Sequence, residues 1–285
     1  MEEWAESVAT LRRDFAEGGF AVAEAVLSGP ETIELAAILD EALVRRRALE
    51  ERPLAERAVL NRQFSHCYNV WEEEGRVRAV ACDPRIAGIA AALLEAGAVR
   101  LFLDQTFYKE PGAESTSLHQ DITRWPVRGR LVTAWIALDD VSLASGALAY
   151  VPGSHQVGPS SWLDLVTGRQ WSDDQRALIE REPVMVPVRR GSILFHDACT
   201  FHAAGPNTTP HRRRAFAVVY VADGAERSSS LPFPSIDWDG VPVGDRIAGP
   251  RHPLAWPRPD GSLPPPPPSP PTHVPGWPLP VAPVA

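Results

Sequence analysis

Hydrophobic positions change their period twice along this chain. Up to about Leu94 they recur at helical spacing. Leu11, Phe15 and Phe20 lead into Ser28-Gly29-Pro30-Glu31, where Ser28 is placed as an N-cap with Glu31 three positions on, a capping-box pattern. Ile33, Leu35, Ala36, Ile38, Leu39, Leu43 and Val44 follow as an apolar helix face, with Asp40, Glu41 and Arg45 to Arg47 turned elsewhere. A further helix is expected over 84–94, with Asp83 as its N-cap and Pro84 at the first helical position.

From Val99 to about Val221 the pattern becomes one of short apolar runs: 100–109, 131–138, 147–151, 184–188, 192–195 and 215–221. Turn clusters separate them, among them Pro111-Gly112, Ser145-Gly146, Pro152-Gly153-Ser154, Arg190-Gly191 and Gly205-Pro206-Asn207. Strands so punctuated predict an antiparallel sandwich or barrel, with 162–179 as a partly helical excursion. Beyond Glu226 periodicity is lost and most of the 29 prolines accumulate. Trp238, Ile247, Leu254 and Trp256 suit an irregular cover over 226–259, whereas 260–285, with its run Pro264 to Pro268, reads as a disordered polyproline tail. The expected organisation is thus one domain over 1–225, helical to 98 and β from 99, followed by the cover and the tail.

Composition narrows the function classes. A net charge of −8 argues against nucleic acid or an anionic membrane as partner. No apolar stretch is long enough for a transmembrane helix, and the Met-Glu-Glu-Trp start is acidic where a signal peptide is basic. Three scattered cysteines, Cys67, Cys82 and Cys199, do not make a disulfide framework. A cytoplasmic protein acting on a small molecule, as a monomer or weak homodimer, is the expectation. Of the 28 basic residues only Lys109 is lysine, so its presence reflects no general use of that residue.

The candidate chemistry begins at His119-Gln120-Asp121. In extended backbone a period of two puts His119 and Asp121 on one face and Gln120 on the other, so an imidazole and a carboxylate converge as metal ligands do. The triplet alone is weak evidence. A third ligand some eighty residues on strengthens it: His196 and His202 are candidates, with His211 more remote. Position favours His202, at the end of a strand-like run and just before a Gly-Pro-Asn turn. Two histidines and one carboxylate form the facial triad that leaves positions open on Fe(II) for substrate and O2.

Together these segments resemble the phytanoyl-CoA dioxygenase branch of the Fe(II)/2-oxoglutarate oxygenases. The resemblance rests on Lys109-Glu-Pro-Gly112, His119-Gln-Asp121, Trp135-Ile-Ala-Leu-Asp139, Gly146-Ala-Leu-Ala-Tyr-Val-Pro-Gly-Ser-His155, His202-Ala-Ala-Gly-Pro-Asn207 and Arg212 to Arg214, in that order. Phe15-Ala-Glu-Gly-Gly-Phe20 and the Asp83-Pro84 helix extend it over roughly residues 11 to 222. It implies an α+β fold: a double-stranded β-helix (jelly-roll, cupin-like) core with flanking N-terminal helices and a proline-rich C-terminal extension. It also implies Fe(II), held by His119, Asp121 and His202, with 2-oxoglutarate and O2 as cosubstrates.

The family's arginine for the 2-oxoglutarate C5 carboxylate lies eleven residues beyond the distal histidine, which here is Arg213. A guanidinium fork matches a carboxylate better than a lysine does. Arg212 and Arg214 are expected on the other face of the strand as solvated charge, while Ala215 and Ala217 leave room beside Arg213. Thr133 and Trp135 are expected to line the same pocket, and Gln105 to reach the C1 end of 2-oxoglutarate. Tyr68, Trp71, Phe107 and Trp125 are further candidates for the substrate pocket, and His155 is read as structuring its turn. Ala204 stands where the family often has serine or threonine.

The implied reaction oxidises an unactivated C–H bond of a small molecule, in keeping with a natural-product scaffold, and releases succinate and CO2. Halogenating relatives carry glycine or alanine in place of Asp121, so the carboxylate argues for hydroxylation or another oxygenase outcome. Two other classes use the same residues: a cupin-like metal-dependent hydrolase or isomerase, which does not need Arg213 at that offset, and a catalytically silent binding module, in which an intact triad is not expected.

Overall fold

The computed structural model describes residues 2–47, 66–160, 171–258 and 262–268. Helix α1 (Glu2–Gly18) buries Leu11 and Phe15 and ends at a left-handed Gly19, from which the short strand β1 (Phe20–Ala23) departs. Helix α2 (Gly29–Arg47) opens on the expected capping box: the Glu31 carboxylate accepts from the Ser28 amide at 2.7 Å and the Ser28 hydroxyl from the Glu31 amide at 3.4 Å. Its buried stripe is Thr32, Leu35, Ala36, Leu39, Ala42, Leu43 and Arg46. Ile33 and Val44 are exposed, because the apolar residues here spread over more than one stripe and only one can face the sheet. Arg46, expected away from the apolar face, lies in the buried stripe and donates to the carbonyls of Tyr68 and Asn69.

Helix α3 (Gly75–Ala81) leads into α4 (Pro84–Leu93), where the Asp83 side chain caps the Arg85 amide at 2.8 Å and proline takes the first position. The strands follow: β2 (Val99–Thr106), β3 (Thr116–His119), β4 (Val127–Arg128), β5 (Leu131–Ala137) and β6 (Leu148–Tyr150). After α5 (Asp173–Ile179) come β7 (Val184–Val186), β8 (Ile193–Asp197), β9 (His202–Ala204), β10 (Ala215–Ala222) and β11 (Glu226–Arg227). Helix α6 (Pro234–Trp238) and strand β12 (Leu254–Trp256) are the last helix and strand among the described residues. The expected helical excursion over 162–179 survives as α5, while 161–170 lies outside the described residues.

The strands form two antiparallel sheets and a small ribbon. The larger sheet runs β1-β8-β5-β10-β2-β12 and the smaller β3-β9-β6-β7, with β11-β4 apart. Strands β5 and β10 are buried along both faces, so they read as unbroken apolar runs rather than as alternation. Their alternate side chains nevertheless go to different places. Val132, Ala134, Ile136, Phe216, Val218 and Tyr220 pack against the helices in one core. Trp135, Ala137, Ala215 and Ala217 face the smaller sheet, where they meet Leu148, Tyr150 and Ala204 in another. A third core, around Phe102, Val219 and Phe233, packs the segment carrying α6 against the sheet.

Between Glu226 and Arg258 the chain is more regular than its composition suggests, since β12 pairs with β2 as an edge strand. The described stretch 262–268 is tied back by Arg258 to Ser262 and by Arg251 to Pro268. The rest of the proline-rich tail lies outside the described residues. None of the described helices is long and apolar enough to cross a membrane, and all three cysteines are free thiols.

Candidate metal and cosubstrate site

Cross-strand register brings the candidate ligands together. His119 at the end of β3 pairs with His202 at the start of β9, which pairs in turn with Tyr150 of β6. Gln120 is extended, so Asp121 returns to the side of His119 as it opens a single 3-10 turn. One ligand atom from each of His119, Asp121 and His202 lies within 4.8 Å of the others. Both imidazole Nε2 atoms are 3.7 Å from Asp121 Oδ1.

Each ligand's orientation has a cause. His119 Nδ1–H donates to the Ser117 carbonyl at 2.8 Å and His202 Nδ1–H to the Thr200 carbonyl at 3.0 Å, which leaves both Nε2 lone pairs toward the shared point. Burial pushes both imidazoles down to about 4, with neighbouring histidines adding to the effect, so they are neutral donors at physiological pH. Burial acts to raise Asp121, but His202, His196 and His119 outweigh it and hold the carboxyl ionised, far below its ordinary range. Gln120 points away, fully buried: its amide donates to the carbonyls of Gly158 (3.0 Å) and Cys199 (2.6 Å), and its oxygen accepts from the Ser160 amide at 2.9 Å. It pins the loop that carries the ligand pair. His196, the rival third ligand, meets the other oxygen, Asp121 Oδ2, at 3.2 Å.

Arg213 is set apart from its neighbours Arg212 and Arg214 by its surroundings. It is buried, its Nε and one terminal nitrogen have no hydrogen-bond partner, and its guanidinium lies 5.0 Å from the centre of the Trp135 ring. Burial pushes it down to about 10, so it remains charged at neutral pH. A buried, unpaired cation is costly unless an anion completes it. Register places its surroundings: Ala217 stands between Gln105 of β2 and Trp135 of β5, and Val219 lies opposite Thr133, which in turn faces His196. Arg212 and Arg214 point elsewhere, as expected, but they are not free solvated charges. Arg214 grips Asp139 at 2.7 and 3.0 Å and Arg212 meets Glu110 at 2.9 Å, because carboxylates on adjoining loops reach that face. A cleft of about 560 Å³ is lined by Asp40, Asp139, Asp140, His211 and all three arginines, Arg213 included, while His119, Asp121 and His202 are not part of its lining.

The remaining candidates divide. Thr133 donates to Asp121 Oδ2 at 3.0 Å, so its observed partner is the carboxylate. Gln105 donates to the Tyr68 hydroxyl at 2.9 Å on the inner face. Phe107 packs against the inter-sheet core, whereas Trp71 belongs to the helix-side core and Trp125 packs on Phe102. His155 reaches back to the Ala16 carbonyl at 3.2 Å, tying its turn to the end of α1.

Residues 15–215 match the family described as phytanoyl-CoA dioxygenase (PhyH). The chain belongs to that family. It is similar to the mouse (Mus musculus) phytanoyl-CoA dioxygenase domain-containing protein 1, with 30% identity over 179 residues, covering 56% of this chain and 60% of the mouse protein. Among solved structures it resembles the non-haem α-ketoglutarate-dependent epimerase SnoN from nogalamycin biosynthesis (27% identity, TM-score 0.74, 89% of this chain and 98% of that one). It also resembles the carbocyclase SnoK of the same biosynthesis (28% identity, TM-score 0.72, 86% and 95%). SnoN has been seen in complex with Fe3+, α-ketoglutarate and nogalamycin RO.

Two features of this PhyH-family chain carry no local sequence signal for their roles. Lys109 is wholly buried, and its ammonium donates to the carbonyls of Glu114 (2.7 Å) and Gly205. Burial, with Arg213 nearby, pushes it down to about 8. Asn207 donates to the carbonyls of Lys109 (2.9 Å) and His211 (2.8 Å), and Lys109 and Arg213 exchange backbone hydrogen bonds at 2.9 Å. The Lys-x-Pro-Gly and Gly-Pro-Asn motifs thus form one clasp that seats Arg213. Gly146 completes it at φ +87°: a Cβ there would come within 2.7 Å of the Gly205 carbonyl oxygen and 3.0 Å of Lys109 Cδ.

Proposed function

We propose that this protein is an Fe(II)- and 2-oxoglutarate-dependent dioxygenase that oxidises an unactivated C–H bond of a small-molecule, natural-product substrate. The observation that carries the reading is Arg213: a buried guanidinium with unpaired N–H groups packed on Trp135, whose side chain shares a core with Tyr150, the cross-strand neighbour of His202 in the converging triad. In this reading the two antiparallel sheets are the walls of a double-stranded β-helix, and residues 1–225 are the oxygenase domain. The likeness to SnoN and SnoK supports both a natural-product substrate and outcomes beyond hydroxylation, such as epimerisation or ring closure.

The donor set suits iron: two neutral imidazoles and one ionised carboxylate oxygen, a ligand set that leaves positions for a chelating cosubstrate. Bound by His119, Asp121 and His202, Fe(II) supplies activation of O2 coupled to decarboxylation of 2-oxoglutarate to succinate and CO2, redox chemistry that no side chain of the protein offers. The protein's own work is to orient and to exclude. Arg213 receives the distal carboxylate of 2-oxoglutarate as a fork, and Trp135 holds that fork in place. Thr133 and His196 hold Asp121. Ala215 and Ala217 keep the floor of the pocket low, and the apolar residues between the sheets limit water around the reacting atoms.

The test is Fe(II)-dependent release of succinate from 2-oxoglutarate, measured alone and against a panel of polycyclic and glycosylated natural products. Succinate formation that requires iron, rises with one of these substrates and is lost in Arg213→Ala supports the reading. Iron binding with no 2-oxoglutarate turnover under any substrate contradicts it.

A further inference from the structure

His196 is a ligand by residue type but not by placement. It stands in β8, with Thr133 of β5 and Phe20 of β1 as its cross-strand neighbours. Its ring is buried. Nε2 lies 3.2 Å from Asp121 Oδ2 and Nδ1 lies 3.1 Å from the Tyr150 hydroxyl. Tyr150 is itself buried and stacked on Phe20, with ring centres 4.5 Å apart and planes 12° from parallel, so its hydroxyl has little freedom.

Chemistry selects one arrangement of protons. An ionised carboxylate only accepts, so His196 donates from Nε2, and its Nδ1 is within hydrogen-bond distance of the phenol. Asp121 Oδ2 receives a second hydrogen bond from the Thr133 hydroxyl at 3.0 Å. The two oxygens of one carboxylate therefore have different occupations. Oδ2 is held by two donors, while Oδ1 faces His119 Nε2 and His202 Nε2, each at 3.7 Å.

We propose that Tyr150, His196 and Thr133 form a positioning relay that holds the outer oxygen of Asp121 and commits this carboxylate to bind a divalent metal through Oδ1 alone. The proposal rests on the reading of His119, Asp121 and His202 as a metal site. Carboxylates ligate metals through one oxygen or both. A carboxylate bound through both occupies a coordination position that a chelating cosubstrate or O2 needs. The relay keeps that position free without adding a ligand of its own, and its loss weakens metal binding as the loss of hydrogen-bonding partners behind a ligand does.

The test uses the full chain, stripped of metal and titrated with Co(II), followed by calorimetry and by the cobalt visible spectrum, whose intensity reports coordination number. Neither readout needs 2-oxoglutarate or turnover. His196→Phe is expected to bind Co(II) about 10–100-fold more weakly and to change its spectrum. His196→Gln, which keeps a donor toward Asp121, is expected to recover most of both, and Tyr150→Phe to show a smaller change of the same kind. If His196→Phe does not fold, as judged by circular dichroism, Thr133→Val and Tyr150→Phe carry the test, and both must alter the cobalt spectrum. Wild-type affinity and an unchanged spectrum in the folded variants overturn the relay. A wild-type chain that binds no Co(II) overturns the metal site itself, which is a different result.

Discussion

The two faces of the larger sheet are built from the same strands and do opposite things. On the helix side, Val132, Ala134, Ile136, Phe195, Phe216 and Val218 pack against α1, α2, α3 and α4. Polar residues of β2 are met from the helix side: Asp104 accepts from the amides of Val70 (2.9 Å) and Trp71 (2.7 Å), and the Thr106 hydroxyl from the Cys67 amide (2.8 Å). On the inner side the alternate positions carry Gln105, Thr133, Trp135 and His196, small alanines, and beside them a guanidinium with unpaired nitrogens. One face packs a largely hydrocarbon core against helices, and the other turns polar side chains toward the space between the sheets. Stability and chemistry are divided by the period of two of a β-strand, residue by residue.

That division can be broken at neighbouring positions. Asp121→Ala removes the carboxylate and leaves His196 and Thr133 without their acceptor. We expect Fe(II)-dependent 2-oxoglutarate turnover to fall by about a thousand-fold or more, with a comparatively small change in Tm by differential scanning calorimetry. Ile136→Ala, one residue from Trp135 but on the helix side, should do the reverse. It loses about 3 kcal/mol of unfolding free energy in denaturant titrations, while the affinity for 2-oxoglutarate in the folded fraction stays unchanged.

Arg213→Ala sharpens the comparison from the inner side. Losing two charge-assisted hydrogen bonds is expected to weaken 2-oxoglutarate binding about 100-fold. Removing an unpaired buried cation should leave the apo protein as stable or more so. Arg213→Lys should recover little, because an ammonium does not reproduce the fork. The smallest effect belongs to the helical layer. Glu31 is held down to about 2, by Arg85 first and then by Ser28. A depressed folded-state value means that its stabilisation is present above the unfolded carboxylate range, near pH 4.5, and is lost as pH falls from there toward 2. The group is about two-fifths exposed, so screening limits the contribution to under about 1 kcal/mol. Comparing the acid unfolding of wild type and Glu31→Gln over that window measures it.

Much of this was legible before the fold. The capping box at Ser28, the Asp83-Pro84 helix start and the long strands β2, β5 and β10 follow from local spacing, because those elements are long or carry their own stop signals. Alternation around Gln120 put His119 and Asp121 on one side, and the structure brings them to His202. What was not legible depends on pairing between distant segments. Strands β1, β3, β9 and β12 are three or four residues long, and their strand character comes from partners rather than from a run of their own. The Lys109–Asn207 clasp and the contact of His196 with Asp121 join residues tens of positions apart, so no window of sequence contains them. Arg212 and Arg214 read as solvent charge because the carboxylates that meet them, Glu110 and Asp139, arrive from other loops.

The central claim is that the inner face of the larger sheet is a paired metal and dicarboxylate site. Anaerobic calorimetric titration of 2-oxoglutarate into the chain, with and without Fe(II), for wild type and Arg213→Ala, tests it most directly. The account predicts binding that is strong only with Fe(II) in the wild type, accompanied by a weak visible absorption band, and greatly weakened in the variant. Binding of 2-oxoglutarate indifferent to the metal, or unchanged when Arg213 is lost, would contradict it.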